Sequence, residues 1–303
     1  VFGGMPMPAD VVTNEVLRLQ LGQRSFTPVV TASPTGAPPA RAFHLAAWDA
    51  TDTQLLVLGG SGTGGAPVAP DLFALDLSLT PPTWSRPAMT GTAPAALTGM
   101  AGGWDRANRR WYVFGGSDQA FTGTPTSSLL VLDVATSAWS QPAVSGTTPP
   151  ARAFAAATFD ETSARFVVHG GLGANGVVLG DTWVFDPVTV TWTSAMMSGP
   201  GPRVASTFFQ GASPPVFFGG GDAVNAPQTH FNDVWELDAL TATWSLRATL
   251  NGPAPRRHAV GLTVGGLRHL VSGVFDDGAT QTLFNDVWAL QWPSRTWQQV
   301  RSN

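Results

Sequence analysis

The chain has 303 residues, a formal net charge of -4, 43% hydrophobic residues and only 12% charged ones. This balance gives no general attraction to nucleic acid or to anionic membranes, and no apolar stretch approaches the roughly 20 residues that span a bilayer. Gly 34 and Pro 25 make the sequence dense in turns, while 12 Trp and 17 Phe supply more apolar bulk than a disordered chain carries.

Cys, Lys and Ile are absent. Without Cys there are no disulfides, thiolate metal sites or cysteine nucleophiles. The missing Lys and Ile, beside abundant Ala, Gly, Pro and Arg, fit GC-rich coding. His44, His169, His230, His258 and His269 show no metal-ligand spacing. No metal and no cofactor are expected.

In chain order, an apolar run ending in two small residues comes six times, at Val1-Phe2-Gly3-Gly4, Val57-Leu58-Gly59-Gly60, Val113-Phe114-Gly115-Gly116, Val168-His169-Gly170-Gly171, Phe217-Phe218-Gly219-Gly220 and, worn, Leu270-Val271-Ser272-Gly273. The spacings run from 49 to 56 residues. Before each run except the first lies a segment led by Pro and usually Arg, at 41–48, 97–104, 152–159, 203–209 and 257–264. After each run comes a third segment, at 15–20, 71–76, 128–133, 181–186, 233–238 and 286–291, and then a fourth centred on Phe26, Trp84, Trp139, Trp192, Trp244 and Trp297. All are strand-sized, rich in Val, Leu, Phe, Trp and Thr, and bounded by Gly, Pro, Asn or Asp.

A strand-built repeat near 50 residues predicts a propeller, because one unit cannot bury both of its faces alone. The expected fold is all-β: a six-bladed propeller with four antiparallel strands per blade. It forms a single domain over 1–303, with blades near 1–30 (partial), 41–88, 97–143, 152–195, 203–248 and 257–300. The first blade lacks its innermost strand, so the sequence is expected to be a segment of a longer chain. Val1 lies inside a repeat, and localisation is left open. Paired Gly at a strand end lets neighbouring chains approach closely, and the Trp side chains fill the wedges between sheets.

Taken together, Gly-Gly closing the second strand, Asp-Val-Trp in the third, Thr-Trp-Ser in the fourth and a Gly-x-x-Pro-Pro-Ala-Arg lead resemble the Kelch repeat. The Pro-Arg-x-x-His lead is most similar to the Rab9-effector-like and host-cell-factor-like subtype. Trp48-Asp49 and Trp104-Asp105 follow the first strand, which is the wrong place for WD40 repeats. The resemblance implies that one blade is completed from both termini and that the module recognises a protein or peptide without catalysis.

The long loops at 5–14, 61–70, 117–127, 172–180, 221–232 and 274–285 emerge on one face with the blade-to-blade links. That face is the candidate surface. Asp118, Gln119 and Phe121 sit in one loop. Asp222, Asn225, Gln228, His230 and Phe231 sit in a second, and Asp276, Asp277, Gln281 and Phe284 in a third. The last two loops belong to adjacent units and are expected to form a polar and aromatic patch. Arg41, Arg152, Arg203 and Arg256 read either as structural groups binding loop carbonyls and carboxylates or as a basic ring for acidic peptides. Asp71, Asp181, Asp233 and Asp286 read as strand-start residues. His169 reads as a packed histidine, and Arg106, Arg109 and Arg110 as a solvated hairpin tip.

The expected partner is therefore a protein or peptide, with no nucleic acid and no membrane insertion. A carbohydrate-binding or architectural role in a surface or ciliary assembly, using Phe121 and Phe284, is the alternative. A sugar isomerase or epimerase is the second alternative, and it needs titrating groups converging in a closed pocket. Galactose-oxidase-like chemistry requires a Cys linked to Tyr. The iron-dependent specifier pattern requires an Asp four residues after a Glu, which Glu15, Glu161 and Glu236 lack.

Overall fold

The computed structural model describes residues 2–4, 12–33, 36–195, 199–224 and 228–302. The first unit holds β1 (Phe2–Gly4), β2 (Thr13–Gln20) and β3 (Ser25–Pro28). The second holds β4 (Leu45–Asp49), β5 (Gln54–Leu58), β6 (Leu72–Asp76) and β7 (Thr83–Ser85). A short linker strand, β8 (Thr90–Gly91), precedes β9 (Ala101–Asp105), β10 (Arg110–Phe114), β11 (Leu129–Asp133) and β12 (Ala138–Ser140) of the third. The fourth holds β13 (Ala156–Asp160), β14 (Arg165–Leu172), β15 (Val178–Asp186) and β16 (Thr191–Ser194). The fifth holds β17 (Thr207–Gln210), β18 (Val216–Phe218), β19 (Val234–Asp238) and β20 (Thr243–Arg247), and the sixth β21 (Val260–Val264), β22 (Leu267–Asp276), β23 (Gln281–Gln291) and β24 (Thr296–Arg301). Within each unit consecutive strands pair antiparallel. A parallel pair, β17 with β21, joins the last two units into one eight-stranded sheet.

Neighbouring sheets stack face to face, so strands such as Leu129–Asp133 are buried along nearly their whole length and read as continuous apolar runs. Each inter-sheet core is closed by the fourth-strand Trp of the later unit. Trp84 packs with Val16 and Val57, Trp139 with Leu56 and Leu58, and Trp192 with Phe114 and Phe166. Trp244 packs with Val167 and Phe217, and Trp297 with Phe209 and Phe218. Phe26 holds that slot in the first unit, and Arg301 of the last unit lies over its ring, 5.3 Å from the centroid. The Trp expectation has one exception, Trp48, which is 45% exposed.

Linkers cover the outer edges. Ala32, Thr90–Gly91, Ser145 and Leu250 each pair in parallel with the fourth strand of the following unit, which occupies backbone groups that would otherwise template association.

Two features differ from expectation. The innermost strands begin three or four residues later than the Arg-led segments predict, because Phe43, Gly99, Phe154, Ala205 and His258 take left-handed backbone with φ from 54° to 64°. These residues link unit to unit: Phe154 N–H donates to Gly99 O at 2.7 Å, Ala205 to Phe154 O at 3.1 Å, and His258 to Ala205 O at 2.8 Å. His258 therefore sits in register with the other copies. The segment 274–285 is in large part strand and 172–180 is strand at both ends around a 3-10 turn (Ala174–Gly176), since β14–β15 and β22–β23 extend as hairpin arms past their Gly pairs or the worn equivalent.

Candidate functional site

Each predicted arginine is buried. Arg152 donates to Pro150 O and Gly170 O, both at 3.0 Å, and to both carboxylate oxygens of Asp181 at 2.8 and 2.7 Å. Trp183 Nε1 donates to the same carboxylate at 2.6 Å. Burial alone would raise the Asp181 carboxyl, but the Arg152 and Trp183 hydrogen bonds outweigh it and hold the group below its ordinary value. Arg203–Asp233–Trp235 and Arg256–Asp286–Trp288 repeat the arrangement. The guanidinium carbons of Arg203 and Arg256 lie over the rings of Phe231 and Phe284, at 3.9 and 3.8 Å from their centroids. Arg41 keeps its carbonyl partner, Gly59 O at 2.9 Å, and lies over Phe73, while Asp71 pairs with Arg86. Of the two readings of these arginines the contacts are those of the structural one: Arg152, Arg203 and Arg256 are neutralised by carboxylates, as guanidiniums this deep require, and Arg41 bonds loop carbonyls.

The Gly pairs explain how these residues also join units. Gly171 N–H donates to Arg203 O at 2.7 Å, and a Cβ on Gly170 would strike that same carbonyl.

Where the second, third, fourth and sixth units meet, Phe121 stacks on Phe154 at 4.1 Å and meets Phe43 edge-on at 5.5 Å, with His258 at 5.5 Å from Phe43. Phe121 is thus held in an aromatic cluster and remains partly exposed. Its loop is held from within: Thr124 N–H donates to Asp118 Oδ1 at 2.7 Å, and the Ser117 hydroxyl bonds Gln119 O. Burial pushes His258 down to about 3, with Arg257 and His230 adding to the effect.

The fifth and sixth units do bring their loops together. His230 is 7% exposed, its ring lies 4.9 Å from Phe275, and it is coupled to Arg257, Asp276, Asp222 and Asp277. Burial is the largest cause of its lowered pKa, so the ring is neutral at pH 7. Among the described residues both ring nitrogens lack a hydrogen-bond partner, as do Gln228 Oε1 and Arg257 Nε. Arg257 Nη1 reaches Val224 O at 3.3 Å. Asp222 accepts from Thr229 N–H at 2.7 Å. Asp276 accepts from Gly278 N–H and from Gln281 Nε2, and Asp277 from Ala279 and Thr280, so these carboxylates also shape the arm's turn. Asn225 lies outside the described residues. Beside the cluster, Val178, Pro202, Asp222 and Val224 border an open groove of about 400 Å³.

Sequence reasoning does not single out Arg257, Phe275, Phe43 or Phe154. Arg257 carried a usable signal, since the other copies have Ala42, Thr98, Ala153 and Val204 at its position.

His169 is the packed residue its position suggests: Nδ1 meets Thr182 Oγ1 at 2.8 Å, and Trp244 Nε1 donates to the same hydroxyl at 2.9 Å. Arg106 and Arg110 are exposed, as a solvated tip requires, but the hairpin at 106–109 also stitches units together. Arg109 bonds the buried Asp49 at 2.7 Å, and Arg106 N–H donates to Glu161 Oε1 at 2.8 Å. Among the described residues no cluster of three metal-ligating side chains occurs, and no helix is long and apolar enough to cross a membrane.

Stacked four-stranded units, Gly pairs clamped on the next unit's Arg and buried Arg–Asp–Trp sets define a Kelch-type β-propeller. The KLHDC2/KLHL20/DRC7 Kelch-repeats domain matches residues 1–213 and 107–303, and the chain belongs to that family. It is 32% identical over 278 residues to acyl-CoA-binding domain-containing protein 5 of Arabidopsis thaliana, covering 85% of this chain and 40% of that protein. It is 27% identical over 172 residues to the Rab9 effector protein with kelch motifs of Xenopus laevis, covering 55% and 45%. It is 27% identical over 226 residues to human Kelch domain-containing protein 3, covering 71% and 56%. The chain thus spans about half the length of the relatives it matches, and it is a propeller of the protein-interaction class.

Proposed function

We propose that the long-loop face binds a short peptide segment of a protein partner, with its polar centre where the fifth and sixth units meet. The observation that carries this is the group of polar atoms there that are buried and, among the described residues, unbonded: both nitrogens of His230 and Oε1 of Gln228, beside Arg257. An unpaired buried polar group costs about 1–3 kcal/mol. Neutral His230 offers one donor and one acceptor, the complement of a peptide group.

Phe43, Phe121 and Phe154 pack together as one aromatic cluster, and apolar side chains of this kind suit recognition better than proton transfer in a closed pocket. A carbohydrate platform would need free aromatic faces, and Phe121 and Phe284 are engaged with Phe154 and Arg256. The six units are taken to close as one wheel over 1–303, a reading supported by the contact of Arg301 with Phe26 in the first unit's Trp slot.

Peptide display on the immobilised chain, followed by affinity measurement, tests the reading. His230→Ala and Arg257→Ala should each weaken a selected peptide at least about tenfold, as central interface residues do. Unchanged affinity in both rejects it.

A further inference from the structure

In the third unit three positions of the repeat change together. Leu97, Ser128 and Leu130 stand where the fourth unit has Arg152, Asp181 and Trp183. Those three side chains bond one another, and losing one alone would strand a buried charge or donor. Exchanging the whole set for neutral groups avoids that penalty and leaves space.

The space is a half-open pocket of about 150 Å³ walled by Pro94, Leu97, Met100, Val113 and Leu130. Gly115 also lines it. Its counterpart Gly170 gives its carbonyl to Arg152. At the rim the Thr126 and Ser128 hydroxyls bond each other at 3.0 Å.

We infer that this pocket takes one neutral apolar side chain, of leucine, methionine or phenyl size, from a bound peptide. This presupposes the peptide-binding face proposed above and adds its anchor. A charged occupant would lose its hydration and find no counter-charge, because the repeat's own carboxylate is Ser128 here. Apolar cavities of about this volume hold a benzene ring. The position also fits, since Thr126 and Ser128 flank the end of the 117–127 loop, on the same face as the aromatic cluster.

The test uses the full chain with its methionine methyl groups labelled for NMR, the Met100 signal being assigned through Met100→Leu. N-acetyl-leucine amide should shift that signal saturably, and N-acetyl-aspartate amide should not. The shift should vanish in Leu97→Arg/Ser128→Asp/Leu130→Trp, which restores the set the fourth unit already carries, and in the simpler Leu97→Phe, which fills the pocket if the triple variant does not fold. No shift with the leucine probe, or an equal shift in a folded filled variant, overturns the inference. For displayed peptides, the filled variant should lower affinity about 10- to 100-fold, the value of one buried apolar side chain. Peptides weakened by His230→Ala but indifferent to Leu97→Phe would remove the pocket and keep the face. A Met100 shift with no peptide captured would keep the pocket's apolar selectivity and remove the peptide as its source.

Discussion

Arg256 and Asp286 are 30 residues apart and form a two-pronged ion pair in which both side chains are almost wholly buried, at 1% and 5% exposure. The backbone of the same arginine accepts from Gly220 N–H of the preceding unit at 3.0 Å. One residue thus secures its own sheet and receives its neighbour. Arg256→Leu should destabilise the fold by about 3–5 kcal/mol, because Asp286 is left charged and unpaired. Arg256→Leu/Asp286→Ser/Trp288→Leu, copying the third unit's neutral set, should cost less than the single change. Urea melts of the two variants decide the point, and a triple variant weaker than the single one would contradict it.

Gly170 and Gly176 both have positive φ, 64° and 75°. A Cβ on Gly170 meets the Arg203 carbonyl, whereas one on Gly176 meets nothing within 4 Å. Gly176→Ala should therefore cost only the backbone strain of about 1 kcal/mol. Gly170→Ala should cost at least about 1 kcal/mol more, since two units must move apart. Equal melting temperatures would show that the Gly pair is not a packing contact.

Burial pushes both His169 and His258 down to about 3. Their unfolded value is near 6.5, so between those limits the unfolded chain binds more protons than the folded one. Stability is full above about pH 6.5 and falls as the pH drops toward 3. Each histidine contributes a slope approaching about 1.4 kcal/mol per pH unit. Denaturant melts from pH 7 to 4 should show this slope, and His169→Gln should reduce it. A variant with an unchanged slope would contradict the assignment.

The scaffold is legible in the sequence because its signals are periodic. Gly-Gly, the fourth-strand Trp and the Arg-to-Asp spacing recur, and each recurs for a contact that most units make. The site is less legible because loop carboxylates do two kinds of work. Asp118 and Asp277 read as contact residues and also close their own turns, and no spacing rule separates those roles. Phe231 and Phe284 look like loop aromatics, yet they cover guanidiniums fixed far away in sequence. Arg257 is visible only as a departure beside a conforming Arg256, and its meeting with His230 depends on how two units pack.

The most direct test of the recognition face is hydrogen exchange on the chain with and without a display-selected peptide. Bound peptide should slow exchange in 117–124, 228–232 and 274–281 and leave the hairpin turns at 50–53, 106–109 and 161–164 unchanged. Protection confined to those short turns, or none in the long loops, would contradict the account.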